Sequence, residues 1–176
     1  MVAALILIGA PGSGKSSVLE ALMTLLEIEG VEYGAIESEQ LSLGSPLLSG
    51  RDWTRQLEAV LALQRDSGRS RFLVVATVEN EHELGDVARA AGADASLVAC
   101  LLASPDTVAA RIARREPDHW PGKARLTAHA RELAETVPAM AGIDLRIDTE
   151  QRSPDQAAAE IQTEMRLRGL IPGRPV

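Results

Sequence analysis

Cysteine is almost absent from this 176-residue chain: the lone Cys100 cannot close an internal disulfide and excludes a multi-cysteine metal site. Its place inside the apolar run SLVACLL marks it as a buried structural thiol. Aromatic residues are scarce too, at 2%. The core must therefore be built from Ala, Val, Leu and Ile, which suits a sheet between Ala-rich helices better than a β-sandwich. Basic residues fall short of acidic ones, 18 Lys and Arg against 25 Asp and Glu. A net charge of −7 argues against a general nucleic-acid binder, which needs cationic excess to displace counterions from a phosphate backbone. No apolar run reaches the ~20 residues that a membrane helix requires. The apolar start MVAALILIGA has no basic segment before it and is not read as a signal peptide. The three histidines, His82, His119 and His129, are dispersed without the spacing of a zinc site. The expectation is a cytoplasmic protein that engages neither membrane nor nucleic acid.

What is present is an alternation of two patterns. Short β-rich apolar runs fall at Ala3–Ile8, Tyr33–Ile36, Phe72–Val78, Ser96–Leu102 and Asp144–Ile147. Helical patterns lie between and after them, at Lys15–Glu29, Trp53–Asp66, Glu81–Ala91, Pro105–Arg115, Ala124–Thr136 and Pro154–Arg168. Asp52, Ser104 and Ser153 are expected N-caps, the last two followed by Pro. Strand and helix alternating in this way imply a mostly parallel sheet covered on both faces, in one domain spanning residues 1–170. Two stretches break the rhythm. SEQLSLGSPLLSGRD, residues 38–52, is a long loop of the kind that more often carries function than not. REPDHWPGK, residues 115–123, has two prolines and a glycine in a helical region and is expected to form a mobile flap. Residues 171–176 are expected to form a flexible tail.

The most informative stretch is GAPGSGKSS, Gly9 to Ser17, which fits G-x-x-x-x-G-K-[ST] between a strand pattern and a helix pattern. Gly9, Ala10, Pro11, Gly12, Ser13 and Gly14 form a loop whose glycines let backbone N–H groups approach a polyphosphate. Lys15, Ser16 and Ser17 open a helix whose dipole points its positive end at that anion. In this motif the lysine bridges β- and γ-phosphates and the Ser16 hydroxyl ligates Mg²⁺. ATP and Mg²⁺ are therefore the expected ligands. The chain has no Asn-Lys-x-Asp string to read a guanine base, and its third strand pattern, FLVVATVENE, does not close on Asp. Both facts speak against switch GTPases and the larger ATPases.

A helix pattern ending TVAARIARREP places Arg111, Arg114 and Arg115 just before the proline-rich flap. Together with the phosphate loop it resembles the lid of the small-molecule and nucleotide kinases, which include adenylate, shikimate, gluconate and adenylyl-sulfate kinases and chloramphenicol phosphotransferase. The resemblance implies that Arg111 packs on the adenine, that Arg114 or Arg115 stabilises the transferring phosphate, and that residues 115–124 form the lid. LRIDTEQRSPDQAAAEI, residues 145–161, is similar to the last strand, base-binding loop and closing helix of that family. The implied fold is a three-layer α/β phosphate-loop fold with a five-stranded parallel sheet in the order 2-3-1-4-5, and the implied activity is γ-phosphoryl transfer.

The acceptor side is less defined. Glu37 and Glu39 flank Ser38 at the end of the second strand and, in extended geometry, would point to one face. Either is a candidate general base or organiser of Mg²⁺, with Glu37 first because it is nearer the strand end; Glu79 is a weaker candidate. Arg51, Trp53 and Arg55 are candidate walls of the acceptor cavity. His119 and Trp120 are candidates to close over substrate, and Lys123 and Arg125 to add charge around the phosphates. The reaction expected is transfer from ATP to a hydroxyl or phosphate of an unidentified small molecule, by a monomer or homodimer. The alternative is a regulatory or degenerate nucleotide-binding protein.

Overall fold

The computed structural model of the chain describes residues 1–46, 48 and 50–173. Its centre is β1 (Ala3–Ile8), whose AALILI run is buried at every position. A strand without polar alternation must be covered on both faces, and this one is. Ala4, Ile6 and Ile8 face one core and Ala3, Leu5 and Leu7 the other, as the two-residue period of a strand requires. Around it stand β2 (Gly34–Glu37), β3 (Arg71–Ala76), β4 (Ala95–Leu102) and β5 (Leu145–Asp148). All pairings are parallel and the order is β2-β3-β1-β4-β5, as expected.

Among the described residues, six α-helices cover the sheet: α1 (Lys15–Ile28), α2 (Gly50–Asp66), α3 (Glu81–Ala91), α4 (Pro105–Arg115), α5 (Lys123–Thr136) and α6 (Pro154–Leu167). On one face α1 and α6 bury Val18, Leu22, Leu26, Ile161 and Met165. On the other, α2 to α5 bury Leu57, Leu61, Val87, Val108, Ile112 and Leu133. Cys100 belongs to this second core, where burial pushes its thiol up to about 11. Arg146 and Lys15 pull the other way without offsetting that cost. Leu170 and Ile171 are buried against the first core, so ordered packing continues into the segment expected to be a tail. Residues 174–176 of that tail lie outside the described residues.

Local signals explain most boundaries. Ser104 and Ser153 cap α4 and α6 as expected, Ser153 in a full capping box with Gln156. Asn80 caps α3, accepting from the Glu83 N–H. Asp52 is not an N-cap: α2 already begins at Gly50, which puts Asp52 in the first turn, where a carboxylate favours the helix dipole. The extended geometry expected for 37–39 is also corrected. β2 stops at Glu37 and Ser38–Ser42 form a 3-10 turn, because the buried Ser38 hydroxyl donates to Val75 O at 2.7 Å.

Glu150, in the turn after β5, accepts from the Ser104 backbone N–H at 2.7 Å and so fastens that turn to the start of α4. Hydrogen bonds from Ser104, and then Thr107, hold its carboxyl down at about 2, against 4.5 normally. A depressed carboxyl contributes stability that is complete above its unfolded value and disappears as pH falls through the folded one. Glu150→Gln should thus be less stable than wild type at pH 7, with the gap in denaturant midpoint closing between pH 4.5 and about 2. In the core, Leu22→Ala should cost roughly 2–5 kcal/mol. Ile28→Ala, at a residue 77% exposed on the same helix, should stay within about 0.5 kcal/mol in the same urea titration.

Candidate active site

Ile8, Ala76 and Cys100 are register partners, so β1 and β3 end level, β4 runs on to Leu102, and their following loops share one edge. The loop after β1 leaves from the middle of that edge, and close backbone contact dictates its glycines. A Cβ on Gly9 would stand 2.6 Å from Ser13 Oγ and 2.8 Å from Leu101 O; one on Gly12 would stand 2.9 Å from Val108 O. Both residues also have positive φ, at 149° and 82°. The loop therefore lies directly against β4 and α4. α1 then starts with no side-chain cap. The N–H groups of its first turn have no carbonyl within the helix to bond and form a ready anion site.

Lys15 is buried at the floor. Its ammonium donates to Gly9 O at 2.8 Å and Ala10 O at 3.2 Å, and Glu39 Oε1 lies 4.0 Å away. Burial lowers its pKa below the usual lysine range, with Glu39 pulling it back up and Arg115 adding to the depression. Ser13 Oγ is buried in the same loop with no hydrogen-bond partner among the described residues.

The cleft above this floor has a volume of about 780 Å³ and gathers most of the expected residues. Pro11 to Ser17 form one wall, Arg111, Arg114 and Arg115 a second, and Glu37, Glu39 and Thr77 a third. Thr149, Arg152 and Pro154 close the end where a base-binding loop was expected. Arg111 donates to Gly12 O (3.2 Å), Ser13 O (3.3 Å), Thr149 Oγ1 (2.9 Å) and Thr149 O (2.9 Å). Its guanidinium is thereby fixed through its edge. Arg115 is half-turned to its neighbour, donating to Glu116 at 2.6 Å. The Glu39 carboxylate accepts from Thr77 Oγ1 at 2.5 Å.

Other expectations fall elsewhere. Trp53 is spent on the fold, donating from Nε1 to Ser38 O at 2.7 Å and packing on the core, and neither Arg51 nor Arg55 lines the cleft. Glu79 faces His129 at 3.3 Å, outside the cleft. Lys123 caps the end of α4 instead of surrounding phosphates: its ammonium donates to Ala113 O, Glu116 O and Asp118. Trp120 folds over Gly122, where a Cβ would meet its ring at 2.4 Å. Trp120, Arg125 and His129 line a shallower depression that shares only Leu126 with the main cleft. Thr77, at the strand end where an acid would hold metal water, and Thr149, in the expected base-binding loop, bond through their hydroxyls to partners far along the chain that the sequence does not reveal. No group of three His, Cys, Asp or Glu side chains suited to a metal exists among the described residues, and no helix among them is long and apolar enough to cross a membrane.

Compared by sequence, the chain matches no protein-family model and no curated protein. Compared by structure, it is similar to small-molecule kinases over nearly its full length. The Mycobacterium tuberculosis APS kinase, solved in complex with AMPPNP and APS, shares 20% identity at a TM-score of 0.68, covering 94% of this chain and 98% of that one. Shikimate kinase from Acinetobacter baumannii, in complex with shikimate, shares 15% at a TM-score of 0.61, covering 97% and 96%. A gluconokinase from Sinorhizobium meliloti shares 20% at 0.61, covering 95% and 97%. The order of the strands, the loop after β1 and these likenesses agree: the chain has the three-layer phosphate-loop fold of small-molecule kinases.

Proposed function

We propose that the protein is an ATP-dependent kinase that transfers the γ-phosphoryl group to a hydroxyl or phosphate of a small molecule. The observation that carries this reading is the meeting, in one cleft, of an uncapped phosphate loop, three arginines and two carboxylates. Phosphoryl transfer asks a protein mainly for positioning and for cationic or N–H stabilisation of spread negative charge, and such a cleft supplies both.

The residues fit a nucleotide with its metal. The partnerless buried hydroxyl of Ser13 and the open first turn of α1 suit the phosphates of ATP. Ser16, with Glu37 or Glu39, offers hydroxyl and carboxylate oxygens of the kind Mg²⁺ takes while it keeps several waters. Held there, the metal would neutralise charge that develops as the phosphoryl group transfers. Lys15 exchanges its bonds to Gly9 O and Ala10 O for the β- and γ-phosphates, whose negative charge offsets the cost of burying its ammonium. Arg111, gripped by its edge, leaves its planar faces open to stack on adenine. Arg114 and Arg115, on the last turn of α4, converge on the transferred group. Glu39, steered by Thr77 and exerting a stronger pull on Lys15 than Glu37 does, sits on the metal side. Glu37, whose carboxylate has no hydrogen bond to a described residue, is placed to take the proton of an acceptor hydroxyl.

One observation favours a second reading, a nucleotide-binding protein without efficient transfer: Thr77 stands just beyond β3 where an acid was sought. An acceptor panel separates the two, since saturable ATP consumption with any acceptor supports the kinase and tight ATP binding with none supports the binder. Lys15→Met should lower phosphoryl transfer by roughly 10²-fold or more, the scale seen when one transition-state donor is removed. It should melt no lower than wild type, because the replaced ammonium is destabilised by burial. Nucleotide affinity unchanged by Lys15→Met, measured by calorimetry, would contradict both readings.

A further inference from the structure

The loop expected to cover the base and the loop that cradles the phosphates are separate stretches of chain, yet the Thr149 side chain, together with Arg111, joins one to the other. Thr149 Oγ1 lies 2.9 Å from Ser13 O and 3.0 Å from Leu102 O, and accepts from Arg111 Nη1 at 2.9 Å. A hydroxyl has one proton, so its donation is shared between the two carbonyls while its lone pair takes the arginine. Thr149 is further held by its own backbone, with its N–H donating to Leu102 O at 2.9 Å and its carbonyl accepting from Arg111 Nη2 at 2.9 Å. Arg111 completes the circuit by donating to Gly12 O and Ser13 O. The hydroxyl thus touches the phosphate loop, the end of β4 and the arginine at once, from the first residue after β5.

Resting on the nucleotide reading above, we propose that Thr149 is a positioning residue. Its hydroxyl locks the base-end loop and Arg111 to the phosphate loop, so that the base and the phosphates of ATP bind as one coupled event. Two sites held in one hydrogen-bonded unit share the ordering cost of that unit, so a ligand that fills both gains more than one that fills only the phosphate end. Glu150, fastened to Ser104 N, and Arg152, paired with Glu160 at 2.7 Å, brace the same loop from the side away from the phosphates. Neither hydrogen-bonds Ser13 or Arg111, which leaves Thr149 as the side chain of the base-end loop that reaches both the phosphate loop and Arg111 among the described residues. The proposal concerns selectivity for a complete nucleotide over bare polyphosphate, a property that a general loss of stability would not alter selectively.

Calorimetric titration of the full chain with ATP and, separately, with inorganic tripolyphosphate tests this in wild type, Thr149→Val and Thr149→Ser. Thr149→Val keeps the shape and removes the hydroxyl; Thr149→Ser keeps the hydroxyl. The expected result is that the wild-type preference for ATP over tripolyphosphate falls about tenfold in Thr149→Val, mostly through weaker ATP binding, and stays within about twofold in Thr149→Ser. Should Thr149→Val not fold, Thr149→Ala carries the same comparison, since it places no methyl against the Ser13 carbonyl. Equal losses for both ligands, an unchanged preference, or a serine variant as impaired as valine would each overturn the coupling while leaving nucleotide binding intact. Wild-type protein that binds neither ligand would instead overturn the nucleotide reading, and this inference with it.

Discussion

A buried ammonium held by two backbone carbonyls is the constraint around which this structure is arranged. Lys15 sits 9% exposed at the C-terminal edge of the sheet, where burial disfavours its charge. A lysine in that position is tolerated because Gly9 O and Ala10 O face it, and those carbonyls are turned inward by a loop that only glycine allows. The same loop turn leaves the first N–H groups of α1 open. One backbone path therefore concentrates donors and positive charge at the centre of the sheet edge, and the long apolar strand β1 supplies the rigid base from which it departs.

The remaining elements are placed relative to that centre. α4 lies so close to the loop that Val108 O would collide with a side chain at position 12, and this proximity is what lets Arg111 grip Gly12 and Ser13. β5 ends beside β4, which brings Thr149 within reach of the Ser13 carbonyl as well. On the opposite side, the buried Ser38 pulls the chain off β2 into a tight turn, and this presents both Glu37 and Glu39 to the cleft despite the loss of extended geometry. Cations and donors thus stand on one side, carboxylates on the other, with the floor lysine between them.

Much of this was legible in the sequence where the signal is local. Uninterrupted apolar runs marked buried parallel strands, and the glycine spacing with Lys15 marked the phosphate loop. Serine followed by proline marked the starts of α4 and α6. What escaped depends on partners distant in sequence. Trp53 and Lys123 looked like site residues by type and neighbourhood, yet each satisfies a backbone carbonyl elsewhere in the fold. The bonds of Thr77 and Thr149 left no pattern, because the Thr77 hydroxyl meets a carboxylate, and the Thr149 hydroxyl main-chain carbonyls, far away in sequence. The proposed acceptor wall carries no sequence signature for a related reason: Glu37 and Glu39 reach the cleft from one stretch of chain and Thr77 from another.

The central claim is that the loop after β1 receives the phosphates of a nucleotide whose base lies between Arg111 and the turn after β5. A crystal structure with Mg²⁺ and a non-hydrolysable ATP analogue tests it most directly. The phosphates should lie against the N–H groups of residues 12–17, Lys15 should have moved from Gly9 O and Ala10 O onto the β- and γ-phosphates, and the adenine should lie against the face of Arg111. An analogue bound elsewhere, or phosphates in the cleft with Lys15 still on its two carbonyls, would contradict it.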